Sequence, residues 1–307
     1  MTEPAPEHPQ QPPPPTDSTA HRLARVTDHL GAQLSLVSPN GTPRPMHRTR
    51  YPDRPAADNG ASAPALVAVA HGSRDPQALR TVLALLDRIR DLRPGLDVRL
   101  GHIELNAPLL PDTLDSLSGA EAVLVPLLLG RGHHVKRDLP AATAAAPAVR
   151  TRIAAPLGPH PLLVEALYGR LVEAGWDAAD HGDRHTAVVL AAAGSRDPDS
   201  AQDTRRTARL LAERLGVPVV PAYASANTPT VPAALRTLAA RGRHRAFVAS
   251  YFTAPGRFAG ACADAVPHRA AAPLGAHPAM ARLVLHRYDQ ARAALAPADA
   301  MSSLASA

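Results

Sequence analysis

The sequence predicts an α/β protein built twice over, each half a mainly parallel four-stranded sheet flanked by helices. Short apolar runs alternate with amphipathic segments along most of the chain, the pattern of βα units around a sheet buried on both faces. The pattern also recurs: LVAVAHGSRDP, ending at Pro76, returns 122 positions later as VVLAAAGSRDP, ending at Pro198. A repeat of that kind marks a duplicated domain, and 307 residues leave room for two domains of ordinary size.

Each element follows in order. Strands are predicted at residues 66–70, 97–103, 122–129 and 152–157. Between the first two, residues 77–92 place Leu79, Val82, Leu83, Leu86 and Ile89 on one helical face. Further helices are predicted at 108–117, 136–145 and 161–174. The second half repeats the series, with strands at 187–192, 217–224, 246–252 and 270–274 and helices at 200–215, 229–241, 258–265 and 278–294. The polar stretch 178–185 joins the halves, which bounds domains at 63–180 and 181–297.

The two copies differ where side chains are reactive. IELNAPLLPDTL, from Ile103, pairs with ASANTPTVPAAL, from Ala224, and VPLLLGRGHHV, from Val125, pairs with ASYFTAPGRFA, from Ala249. Glycines, prolines and apolar runs persist across these pairs. His71 becomes Ala193, Glu104 becomes Ser225, and His133 and His134 become Arg257 and Phe258. Drift alone would not spare Gly194, Ser195, Arg196, Asp197 and Pro198 while replacing only the reactive positions. Each reactive residue also follows the carboxyl end of a predicted strand, and in an open parallel sheet those ends share the ligand-binding edge. Imidazoles are the usual nitrogen ligands of first-row divalent metals, and a neighbouring carboxylate either ligates or accepts a proton.

Composition excludes several classes of function. The formal net charge is +6, but Lys136 is the only lysine, so the balance reflects an Arg-rich and Ala-rich bias. No basic run is interleaved with aromatics, and no nucleic-acid partner is expected. Cys262 stands alone, which leaves no disulfide or CxxC metal site, and a cytoplasmic protein is expected. No apolar run approaches the ~20 residues of a membrane span, and the start lacks a secretory signal. Residues 1–62, with QPPPP at 11–15, are expected to be a disordered Pro-rich extension, with Met46 as an alternative start, and 298–307 a tail. HGSRDP is no phosphate-binding loop and GRGHH no dinucleotide fingerprint. Asp75 and Asp138 are expected to cap helices. His160 and His277, present in both copies, are expected to be structural, and Tyr223, Tyr251 and Phe252 to pack in the core.

The ordered set HGSRDP, then Glu104 with its following prolines, then PLLLGRGHHVKRD, then PLGPHP resembles the class II tetrapyrrole chelatases, specifically the sirohydrochlorin chelatases of the cobalt and siroheme pathways. The resemblance covers about residues 66–295. It implies two tandem Rossmann-like chelatase domains with a cleft between them, inserting a divalent metal into a macrocycle without ATP. It also implies that His71 and His134 handle the metal and that Glu104 helps remove pyrrole protons, so that these three are the catalytic residues. His134 fits the G-x-H-V pattern, and His133 fills its variable slot.

Sirohydrochlorin is a polyacid, and Arg74, Arg131, Lys136, Arg137 and, on the opposite wall, Arg257 are expected to pair with its carboxylates, with Ser73 and His133 beside them. Metal is then substrate, Fe²⁺ or Co²⁺, with no resident cofactor. The macrocycle and the metal are the partners, and a monomer is expected, with a dimer as the alternative, because the duplication removes the need for a second chain to complete the two walls. A non-catalytic tetrapyrrole or metal carrier is the alternative.

Overall fold

The computed structural model describes residues 63–294. The expected extension 1–62 and tail 298–307 lie outside the described residues. The first half runs β1 (Ala65–Ala70), α1 (Pro76–Leu92), β2 (Val98–His102), α2 (Leu110–Asp115), β3 (Glu121–Pro126), a π-helical turn (His134–Asp138), α3 (Leu139–Ala144), β4 (Arg150–Ile153) and α4 (Pro161–Glu173). After a short 3₁₀ turn (Ala178–Asp180) the second half runs β5 (Thr186–Ala192), α5 (Pro198–Leu215), β6 (Val219–Tyr223), α6 (Val231–Ala240), β7 (Arg245–Tyr251), α7 (Arg257–Ala263) and α8 (Pro278–Ala293).

The helices start where the sequence places a capping residue before proline. Asp75 accepts from Gln77 N–H at 2.8 Å and Asp197 from Asp199 N–H at 3.0 Å, each followed by a proline whose missing N–H costs nothing at the first helical position. His160 and His277 do the same for α4 and α8, their Nδ1 atoms accepting from Leu162 and Ala279. These two histidines are helix caps. On α1 the buried face is Ala78, Val82, Leu85, Leu86 and Ile89. The predicted face member Leu83 is instead exposed, one step round the helix from that stripe.

All pairings are parallel, in the order β2-β1-β3-β4 in the first sheet and β6-β5-β7 in the second. The expected fourth strand of the second half is reduced to one bridge, Val248 with Ala270. Its sequence explains the loss: Pro267 takes the place of Arg150 and has no N–H for the ladder, and alanine replaces the β-branched Ile153.

One core passes through both halves. Leu66 and Ala68 of β1, Val125 of β3, Val188 and Leu190 of β5 and Phe247 of β7 belong to the same buried cluster, while each sheet's other face has its own smaller cluster under the outer helices. The middle layer is exchanged: α4 of the first half packs on β7 and α5, and α8 of the second half packs on β3, β4 and α1. Arg170 on α4 donates to the Leu274 carbonyl at 3.0 Å, and Arg287 on α8 donates to the Leu157 carbonyl at 3.3 Å. Leu157 and Leu274 hold the same place in the repeated PLGxHP motif, so the exchange is reciprocal. Tyr288 on α8 donates to the Pro64 carbonyl at 2.6 Å, and Asp289 accepts both Arg93 nitrogens at 2.6 and 2.8 Å.

Candidate active site

The turn after β1 is shaped by backbone contacts that both copies keep. Gly72 has φ 102°, and a Cβ there would sit 1.9 Å from the Glu104 carbonyl oxygen, so no other residue fits. Gly194 repeats this against Ser225 at the same 1.9 Å. Asn106 accepts from Ser73 N–H at 2.6 Å, and Asn227 from Ser195 N–H at 2.7 Å. Glu104 N–H donates to the His71 carbonyl at 3.1 Å, as Ser225 does to that of Ala193 at 2.9 Å. The serine of the motif turns the chain: Ser73 Oγ accepts from Asp75 N–H at 3.1 Å, and Ser195 from Asp197 at the same distance.

On this scaffold the first half brings its reactive side chains together. β1 is the central strand between β2 and β3, where the strand order reverses, and the three loops leaving their carboxyl ends carry His71, Glu104 and the His133/His134 pair. His71 Nδ1 lies 3.5 Å from Glu104 Oε1, with the two side chains 43% and 53% exposed. The His71 and His134 rings meet edge to face, centroids 4.6 Å apart. His134 Nδ1 lies 2.5 Å from Asp138 Oδ2, and Asp138 Oδ1 is 3.7 Å from His133 Nε2.

Asp138 therefore does not cap α3 as its sequence position implies; its side chain makes no capping bond. The first turn, His134–Asp138, is π-helical, a form common at functional sites, and the carboxylate turns back onto the imidazole. Among the described residues no three His, Cys, Asp or Glu side chains stand in an arrangement that would hold a metal ion.

Two of the expected substrate cations are already paired across the halves. Arg131 donates to buried Asp203 from its backbone N–H at 2.9 Å and from Nη2 at 2.7 Å. Lys136 Nζ lies 2.7 Å from Asp197 and 2.8 Å from Asp199, and it holds the Asp197 carboxyl below the usual carboxylate range. Arg74 and Arg137 are exposed and pair with no carboxylate among the described residues. Arg257 lies over the Phe258 ring at 4.7 Å, so the residues that replace the histidine pair stack on each other.

Tyr223 and Tyr251 are buried, as predicted; Tyr251 also reaches across the halves, donating to the Leu129 carbonyl at 2.8 Å. A depression of about 480 Å³ lies beside Ser225, Asn227 and Thr230, at the second-half counterpart of the Glu104 loop. It belongs to the copy that lacks counterparts of His71, His133 and His134, and it holds none of the reactive set. Leu105 and Leu109, exposed at 53% and 41% in the loop that follows Glu104, were not singled out by the sequence. Their only signal is apolar character in a loop that the helix and strand periods do not require.

Comparison with known proteins decides the family. The CbiX family model matches residues 65–174 and, a second time, 187–291. The chain belongs to the CbiX family. Curated relatives of this CbiX chain include the sirohydrochlorin ferrochelatase of Bacillus subtilis (strain 168), 30% identical over 173 residues, which is 54% of this chain and 64% of that protein. The sirohydrochlorin cobaltochelatase of Priestia megaterium is 27% identical over 193 residues, 60% of this chain and 62% of that protein. The CbiX chain thus spans under two thirds of the length of these relatives.

Among solved structures, SirB from Bacillus subtilis with Fe³⁺ superposes with a TM-score of 0.64 at 24% identity, over 75% of this chain and 96% of that one. That likeness bears on the fold, two α/β halves each with a parallel sheet. Among the described residues no helix is long and apolar enough to cross a membrane.

Proposed function

We propose that this CbiX chain is a sirohydrochlorin chelatase that inserts Fe²⁺ to give siroheme, or Co²⁺ to give cobalt-sirohydrochlorin, without ATP. The observation that carries the reading is the convergence of His71, Glu104 and His134 at one sheet edge, in the only half that keeps them. Relatives named for iron and for cobalt agree with either metal.

Insertion replaces two pyrrole N–H protons by one divalent ion, so the site must offer a metal and remove protons. His71 and His134 offer lone pairs for the metal. With its Nδ1 proton held by Asp138, His134 keeps Nε2 for the ion. Glu104, half exposed beside His71, accepts the pyrrole proton. Exposed Leu105 and Leu109 offer apolar surface for a flat ring, and Arg74, Arg137 and Arg257 are the cations left for its carboxylates. Ser73 and His133 complete the rim. The metal passes through as substrate, which suits a loose set of imidazoles better than a closed cage. The enzyme works in the cytoplasm as a monomer.

Purified chain incubated with sirohydrochlorin and Fe²⁺ or Co²⁺ should convert the absorbance spectrum to that of the metallated ring. Tight binding of the macrocycle with no gain over the uncatalysed rate would instead make the protein a tetrapyrrole carrier.

A further inference from the structure

The segment from β3 to α3, residues 127–138, carries Arg131, His133, His134, Lys136 and Asp138. It is tied to the second half at intervals along its length. The Leu127 carbonyl accepts from Thr253 Oγ1 at 2.9 Å, and that of Leu129 from Tyr251. Arg131 is taken by Asp203 through its backbone N–H, Nε and Nη2, the last two at 3.0 and 2.7 Å, and the Asp203 side chain is 1% exposed. Lys136 then sits between Asp197 and Asp199. His134 lies between these last two anchors.

The arrangement is one-way. In the second half, Pro255 and Gly260 stand where the first has Arg131 and Lys136. In the first half, Gln77 and Thr81 stand where the second has Asp199 and Asp203. The counterpart loop therefore lacks both of these cations and α1 lacks both carboxylates, leaving only the contact that the two halves share: a Cβ on Gly256 would lie 3.8 Å from the Ser73 hydroxyl, and one on Gly132 3.9 Å from that of Ser195.

We infer that the second half is a dock for the histidine loop of the first, and that Arg131 and Lys136 are positioning residues for His134 instead of holders of substrate carboxylates. The inference rests on the chelatase reading for its kinetic test, and on geometry alone for its spectroscopic one. It also accounts for the survival of Ser195 to Pro198 after Ala193 replaced the histidine: Asp197 both caps α5 and receives Lys136. Selection on the second copy then acts through the loop it holds. A loop freed by even 1 Å loses reactive geometry, a displacement that costs up to about 10²-fold in rate.

The test compares Lys136→Met, Arg131→Met, Asp199→Asn and Lys136→Arg in the full chain, using sirohydrochlorin and Co²⁺. The expected result is a kcat lowered about tenfold or more in the first three, with KM for the macrocycle changed less than about twofold. Lys136→Arg should recover most of the rate. A raised KM with intact kcat in Lys136→Met, together with a lowered KM in Asp199→Asn, would overturn the inference in favour of substrate pairing. So would rate losses that vanish once corrected for the folded fraction. A second readout needs no turnover: the Cε1–H NMR signal of the His134 ring, assigned by its loss in His134→Gln, should shift in both Lys136→Met and Asp199→Asn. An unmoved signal overturns the dock, whereas wild-type chain that fails to metallate sirohydrochlorin overturns only the chelatase reading.

Discussion

His134 Nδ1 and Asp138 Oδ2 stand 2.5 Å apart across a single π-helical turn. An ionised carboxylate can only accept, so the proton lies on Nδ1 and the Nε2 lone pair faces away from the aspartate. The contact fixes both tautomer and ring direction.

Asp138→Asn is expected to weaken engagement of the metal by about 10–100-fold, the usual effect of losing such a partner to a metal-binding histidine. The KM for Co²⁺ should rise while the KM for the macrocycle stays put. An unchanged KM for Co²⁺ would show that the ring is held by packing alone.

Glu104→Gln and His71→Ala should fail differently. An amide cannot take a pyrrole proton, so Glu104→Gln is expected to bind metal and macrocycle but to insert about 10²-fold more slowly or worse. His71→Ala should lose metal binding first, and Ala193→His should restore nothing while Ser225 and Phe258 remain. Rapid-mixing absorbance separates ring binding from insertion, and equal losses in both steps for both variants would contradict the division of labour.

Acid should destabilise the fold through the histidine caps of α4 and α8. Burial, then the Arg287 charge and His286, push His160 down to about 4. Between about 4 and the ordinary value near 6.5 the unfolded chain holds a proton that the folded chain refuses. Stability therefore falls as pH drops through that window, by at most about 1.4 kcal/mol per pH unit from this residue, and is flat above it. His277, also lowered by burial and then by Arg170, adds to the fall in the same direction. Urea midpoints at several pH values should show the slope, and His160→Asn, which keeps a capping oxygen, should reduce it. A slope identical in His160→Asn would place the acid sensitivity elsewhere.

The reactive residues were legible because the duplication supplied its own control: a scaffold repeated closely enough that His71 against Ala193 and Glu104 against Ser225 stood out. The partners of those residues were not. Asp138 follows a loop and precedes a helix, which reads as a cap, and only the π-helical turn brings it under His134. Arg131 and Lys136 read as rim cations because their carboxylates come from α5, more than sixty residues away, and no local period reports such a contact. Apolar periodicity found α4 and α8 but says only that each buries a face, not which sheet receives it. The missing fourth strand was marked by Pro267, a signal outweighed by the apolar run after it.

The exchange of α4 and α8 bears on the order in which the protein is made. The inner face of the first sheet is closed by α8, and the contact between Tyr288 and Pro64 joins residues 224 positions apart. A nascent chain that has released only the first half lacks the helix that packs on β3 and β4, and its α4 lacks β7 and α5, the elements it packs on. Local helices and strands can form as they emerge, but this closure must wait for nearly all of the chain. The half that leaves the ribosome first, and that carries His71 and His134, is covered in part by the last helix to be made.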